Sequence, residues 1–247
     1  MIIGGPAELR SGRPRTLVAG VFDVDGVLLA SPHERAWREA LHGFAEPARF
    51  TTAMYQAHVA GKPRLSGARA ALEALGVPDA ERQAVAYAER KQERLEALIQ
   101  AGSVAAFADA LRFVRAVGAL GWRMAVASSS KNTNRMMQPI RLASGQSLLD
   151  AFNANVCGRD LHRGKPDPEI FLLAAAELRV APERCFVVED APAGIKAARA
   201  ASMTALGVAR LGDAALLQAA EADLVVTSLD EVAIGELADG RLCRQPT

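Results

Sequence analysis

Two aspartates, Asp23 and Asp25, close a near-continuous apolar run in Gly-Val-Phe-Asp-Val-Asp-Gly, residues 20–26. On an extended chain, residues two apart point the same way, so both carboxylates face one side of a strand end. Two such groups repel, and the pair is stable beside a cation, a shared proton or a positive counterpart. Asp-X-Asp alone is ordinary in solvated loops, so the meaning of this pair depends on what the other strand ends supply. Three further segments supply complementary groups. Ser-Ser-Ser-Lys-Asn (128–132) brings hydroxyls into the start of an expected helix, whose free N–H groups would attract an anion. Gly-Lys-Pro-Asp-Pro (164–168) places Lys165 in a loop before a Pro-started helix, and Glu189-Asp190 ends the run Arg-Cys-Phe-Val-Val-Glu-Asp. Carboxylates, a hydroxyl and a lysine at strand ends are the makings of a Mg²⁺ and phosphate site.

The elements that must hold these groups follow from the pattern of apolar runs. Residues 16–23, 123–129, 184–190, 204–209 and 222–228 read as strands, and 106–118, 131–143, 168–179, 192–201 and 212–220 as helices between them. Strand and helix in alternation predict an α/β fold, a doubly wound parallel sheet covered on both faces. Ligands of such sheets bind at the C-terminal ends of the strands. The first strand breaks the rhythm. Residues 31–103 contain no strand pattern and read as a helical insertion, leaving 16–30 and 104–247 for the α/β core. Within the insertion, Ala84, Ala88, Lys91, Leu95 and Leu98 follow the spacing of one buried helix face. Lys91 in that stripe either snorkels to water or points into a wet, anion-holding cleft. Trp37 stands four residues before Leu41, which suits a core ring of the insertion as well as one facing substrate.

Composition excludes several classes. The chain has 247 residues, half of them apolar, and a formal net charge of +1, so nothing draws it as a whole to nucleic acid. Arg10, Arg13 and Arg15 sit in a Gly- and Pro-rich stretch, 1–15, expected to be a flexible tail. It lacks the apolar core of a signal peptide, and no segment has the length of a membrane span. Cys157, Cys185 and Cys243 are far apart, the usage expected of reduced thiols in a cytoplasmic protein. His42, His58 and His162 show no metal-ligand spacing.

In order along the chain, Asp-Val-Asp-Gly-Val (23–27), Ser128 after an apolar strand, Gly-Lys-Pro-Asp-Pro and Glu-Asp-Ala-Pro-Ala-Gly (189–194) resemble the four motifs of the haloacid dehalogenase superfamily of phosphotransferases. The resemblance spans roughly residues 17–232, and the long insertion falls where that superfamily carries a helical cap. It implies Mg²⁺ held by Asp23, the carbonyl of Asp25, Glu189 and Asp190. Asp23 would be the nucleophile, Asp25 the general acid and base, and Ser128 with Lys165 the holders of the transferring phosphoryl group. An aspartate at position 25 argues against dehalogenation. His-Glu-Arg-Ala-Trp (33–37), Gly-Lys-Pro-Arg (61–64), Arg90-Lys91 and Ser-Ser-Ser-Lys-Asn further resemble the β-phosphoglucomutase branch. There, Arg64, Ser130, Lys131 and Asn132 would hold the phosphate that is not transferred, while His33 and Lys91 would link cap closure to Asp25. Trp37 joins them as a candidate substrate contact. The segment between Gly26 and His33 is shorter than in that branch, and the loop 141–164 is longer. A phosphatase of sugar or polyol phosphates on the same scaffold is the alternative. A silent binding protein is the third reading, opposed by the intact motif residues. The branch is often monomeric, which implies a monomer acting on a small phosphorylated metabolite, with neither nucleic acid nor membrane as partner.

Overall fold

β-Branched and aromatic runs bounded by turns build the strands, and residues 16–246 are described by a computed structural model. The expected tail, 1–15, lies outside the described residues. After β1 (Ala19–Phe22) and the two-residue β2 (Leu29–Ala30) come α1 (His33–Ala40), α2 (Thr52–His58), α3 (Arg64–Ala74) and α4 (Ala80–Gln100). The chain returns through β3 (Ala105–Ala106) to α5 (Ala108–Ala119), β4 (Arg123–Val126), α6 (Thr133–Met137), β5 (Ala154–Asn155) and α7 (Glu169–Leu178). It ends with β6 (Cys185–Glu189), α8 (Pro192–Ala200), β7 (Thr204–Val208), α9 (Ala214–Ala219), β8 (Leu224–Val226) and α10 (Ile234–Ala238).

Six strands form one parallel sheet in the order β5-β4-β1-β6-β7-β8. Alternation along β6 shows why both faces are covered: Phe186 and Val188 join one cluster with Phe22, Phe113 and Val117, while Cys185 and Val187 join another with Val21, Phe171 and Ile195. The three cysteines are free thiols. With β1 between β4 and β6, the crevice at the C-terminal strand ends opens beside Asp23.

Helices α1 to α4 bury a separate cluster that includes Trp37, Leu41, Phe50, Leu72 and Tyr87. The stripe on α4 is buried as its spacing predicts, Lys91 included. Strands β2 and β3 pair antiparallel, Leu29 opposite Ala106 and Ala30 opposite Ala105, so the chain leaves the sheet layer and returns at adjacent points. Two residues are too few to show alternation, and the sequence pattern gives no sign of this pair. The helix expected over 131–143 is only Thr133–Met137. Gln138 still has helical dihedrals and donates to Asn134 O, but Pro139 has no N–H to continue the ladder. The long loop that follows holds the sixth strand, β5, equally invisible to pattern reading. Among the described residues no helix is long and apolar enough to cross a membrane.

Candidate active site

Asp23 directly follows β1, is 5% exposed and donates its backbone N–H to Val188 O at 3.0 Å. Lys165, 3% exposed, reaches up from the loop before α7 and stands 2.5 Å from both Asp23 Oδ1 and Glu189 Oε1. Glu189 ends β6 without solvent exposure, and its Oε2 accepts from the backbone N–H groups of Asp190 and Ala191 at 3.1 and 3.2 Å. Both of its oxygens are thus engaged beneath the crevice. Two glycines make room for these acids. A Cβ on Gly194 would lie 1.9 Å from the Glu189 carboxylate, and one on Gly26, whose φ is +83°, would lie 1.8 Å from Asp190 Oδ2.

Oxygen atoms of Asp23, Glu189 and Asp190 lie within 4.8 Å of one another. Burial pushes all three carboxyls up in pKa, most strongly Asp190, and Lys165 opposes the rise at Asp23 and Glu189. Burial disfavours the Lys165 ammonium, yet Asp23 and Glu189 outweigh that and hold its pKa above the ordinary lysine value. One lysine faces four carboxylates when Asp25 is counted. An oxygen-only donor set with unbalanced negative charge fits a hard divalent cation.

Asp25 is held differently. Ser128 Oγ lies 3.4 Å from its Oδ2, while its Oδ1 has no hydrogen-bond partner. His33 Nε2 is 3.5 Å from that Oδ1 and also lacks a partner. On the other side of the ring, Lys91 Nζ lies 3.0 Å from His33 Nδ1 and 4.9 Å from the centre of the Trp37 ring. A lysine beside Nδ1 donates to it, which leaves the ring proton on Nε2, facing Asp25. Burial and the Lys91 charge hold the His33 pKa well below its usual value, so the ring is neutral at pH 7. Burial likewise lowers Lys91 to about 7, against the pull of Asp25. Burial raises Asp25, opposed by a hydrogen bond from Ser31.

A cavity of about 240 Å³ joins the strand ends to the helical insertion. Of the residues singled out from sequence, all but Lys165 and Glu189 line it; those two lie under its floor. Arg64, the first residue of α3, is exposed at its edge, and Trp37 both lines it and packs against Tyr87. Lys131 is exposed and pairs with Asp160 at 2.6 Å. Asn132 exchanges two side-chain hydrogen bonds with Gln92 of α4, each 3.2 Å. The anion-attracting N–H groups expected at the start of α6 are partly satisfied within the turn, because Ser128 Oγ accepts from Ser130 N and Ser130 Oγ from Asn132 N. Tyr55, Gln92, Arg159 and Asp160 also line the cavity and were not anticipated. Gln92 adjoins Lys91 but is off the apolar stripe, and the other three sit in segments without a periodic signal.

The model of the haloacid dehalogenase-like hydrolase family matches residues 19–202. The chain belongs to this family. A β-phosphoglucomutase of Mycobacterium bovis is 36% identical over 91% of this chain and 96% of its own length. Hexitol phosphatase A of Escherichia coli is 29% identical over 89% of this chain and 95% of its own. Among solved structures, the archaeal β-phosphoglucomutase of Pyrococcus sp. strain ST 04 superposes with a TM-score of 0.71 at 30% identity, covering 91% of this chain and all of that one. This haloacid dehalogenase-like protein is an enzyme, and its parallel six-stranded sheet is that of its structural relatives.

Proposed function

We propose that this enzyme is a Mg²⁺-dependent phosphotransferase working through an aspartyl-phosphate on Asp23, and that it interconverts β-glucose 1-phosphate and glucose 6-phosphate. The observation carrying this reading is that one cavity is lined both by Asp23, Asp25 and Ser128 and by Arg64, Ser130, Lys131 and Asn132. Likeness to β-phosphoglucomutases along nearly the whole chain supports it.

A carboxylate oxygen of Asp23 attacks phosphorus as the bond to the sugar oxygen breaks. Asp25, whose raised pKa suits it to carry a proton, delivers that proton to the leaving oxygen. In the second half, Asp25 takes the proton of the incoming hydroxyl, and the Asp23–phosphorus bond breaks. Lys165 and Ser128 hold the phosphoryl oxygens, where negative charge resides. Asp23, Asp190 and the Asp25 carbonyl would hold Mg²⁺, with Glu189 beneath them; the ion supplies the positive charge that lets a carboxylate approach a phosphate. His33 and Lys91 bring the insertion, acting as a cap, to Asp25. Arg64 with Ser130, Lys131 and Asn132 grips the second phosphate, so that a bisphosphate can reverse its ends. Residues 31–103 would form that cap and 16–30 with 104–247 the core.

The alternative, hydrolysis of sugar or polyol phosphates, shares every step up to the phosphoenzyme and is favoured by the likeness to hexitol phosphatase A. The two differ in whether water or a sugar hydroxyl is the acceptor. Fluoroberyllate tests the shared part: with Mg²⁺, fluorine NMR is expected to show a bound adduct that Asp23→Asn abolishes. Its absence in the native enzyme would overturn the phosphoenzyme route.

A further inference from the structure

Arg210, just beyond β7, is a residue that neither the motifs nor the cavity chemistry has used. Its Nε donates to Gly26 O at 2.9 Å, one terminal nitrogen to Val27 O at 3.0 Å, and the other to Asp109 Oδ2 at 3.0 Å. The guanidinium lies 3.8 Å over the Phe107 ring, and Phe107 N donates to Leu28 O at 3.0 Å. Asp109, only 8% exposed, is itself anchored by Ser228 Oγ and Leu229 N at 3.0 and 2.8 Å. One side chain therefore grips the backbone of the two residues after Asp25 and ties it to the segment just past β3. Among the described residues, the Gly26 and Val27 carbonyls have no other hydrogen-bond donor.

The two catalytic aspartates depend on this grip unequally. Asp23 is fixed by β-sheet hydrogen bonding on one side and by Lys165 on the other. Asp25 has a long contact to Ser128, a hydrogen bond from Ser31 in its own loop and an Oδ1 without a hydrogen-bond partner, so its carboxylate depends more on where its backbone puts it. We propose that Arg210 is a positioning residue for Asp25, fixing the Asp25–Gly26–Val27 backbone so that the acid/base carboxylate meets the bridging oxygen. This rests on the assignment of Asp25 as acid and base made above. Arg210 touches no substrate and acts only through Asp25.

Leaving groups separate this role from a merely structural one. A sugar alkoxide must be protonated as it departs, whereas p-nitrophenolate leaves without help from an acid. In Arg210→Met, kcat with glucose 1-phosphate is expected to fall roughly 10- to 100-fold, the scale of a misplaced catalytic group. At saturating Mg²⁺ the pre-steady-state burst of p-nitrophenolate from p-nitrophenyl phosphate, which reads only transfer of the phosphoryl group to Asp23 and needs no acid, is expected to stay within about threefold. Arg210→Lys keeps one cationic donor and should recover part of the sugar phosphate rate; it is also the variant to read if the methionine protein does not fold. A parallel fall in the burst and the sugar phosphate rate, or no fall with the sugar phosphate, overturns the proposal. Asp25→Asn is the control for the underlying assignment: it should lose the sugar phosphate reaction while keeping the first-turnover burst of p-nitrophenolate, which needs no acid. If Asp25→Asn slows both equally, the acid/base role fails and the positioning role falls with it.

Discussion

Lys165 is the residue on which the site's electrostatics turn. Its ammonium sits 2.5 Å from two buried carboxylates, and removing it leaves them facing each other. Lys165→Met is expected to abolish phosphoryl transfer and to lower stability by about 3–5 kcal/mol at pH 8, because it uncovers buried charge. Without the lysine, Asp23 and Glu189 bind protons more tightly in the folded than in the unfolded protein. The loss therefore grows as pH rises past the ordinary carboxylate range and is smaller at pH 5. Urea unfolding at the two pH values checks this, and an equal loss at both would contradict it. Lys91 gives the opposite sign. Its pKa is near 7 when folded and near 10.5 when unfolded, so between those values the unfolded chain holds more protons and stability rises with pH. Lys91→Met is expected to remove that rise in thermal midpoint between pH 7 and 10 while lowering kcat. A persisting rise would place its origin elsewhere. At this scale much was legible. Asp23, Asp25, Ser128, Lys165 and Asp190 announce themselves because carboxylates and a lysine at strand ends demand partners. Glu189 was legible as an acid, but its engagement of Lys165 and two backbone N–H groups is a matter of three dimensions. Gln92 and Arg210 carry no signal in one dimension, since a glutamine beside a buried stripe and an arginine after a strand are ordinary surface residues.

Among the elements, α4 and the turn before α6 are joined across the cavity by side-chain hydrogen bonds. Gln92 and Asn132 exchange paired amide hydrogen bonds there, and Ser129 Oγ donates to Gly61 O at 3.3 Å nearby. Two amide hydrogen bonds contribute on the order of 1–2 kcal/mol to holding α4 against that turn. Gln92→Ala should loosen it and admit water. The share of phosphoenzyme ending as inorganic phosphate is then expected to rise several-fold, measured as the ratio of free phosphate to sugar phosphate product. An unchanged ratio would show that this pair does not govern closure. Helix α4 was readable because its buried stripe runs for about four turns, from Ala84 to Leu98, and the five main strands because their apolar runs are bounded by polar ends. Strands β2, β3 and β5 were not, being two residues each and fixed by their neighbours rather than by their own pattern. The early end of α6 was legible in principle from Pro139.

For the whole molecule, the proposed function turns on the insertion between β2 and β3. Paired side by side, these strands take the chain out of the sheet layer and back at adjacent points, with four helices between them. In the proposed mechanism the core with Asp23 and Lys165 makes the phosphoenzyme, and the choice of sugar over water falls to Arg64, His33 and Lys91 of the insertion. The parallel sheet and the location of the crevice followed from the alternation of strand and helix; the order of its strands did not. What remained hidden was how far the insertion descends, because that depends on contacts such as Gln92–Asn132 between segments 40 residues apart. The most direct measurement is phosphorus NMR of the purified enzyme with Mg²⁺, β-glucose 1-phosphate and a trace of β-glucose 1,6-bisphosphate. A glucose 6-phosphate signal that grows with little inorganic phosphate is the expected result. Inorganic phosphate growing alone would contradict the mutase.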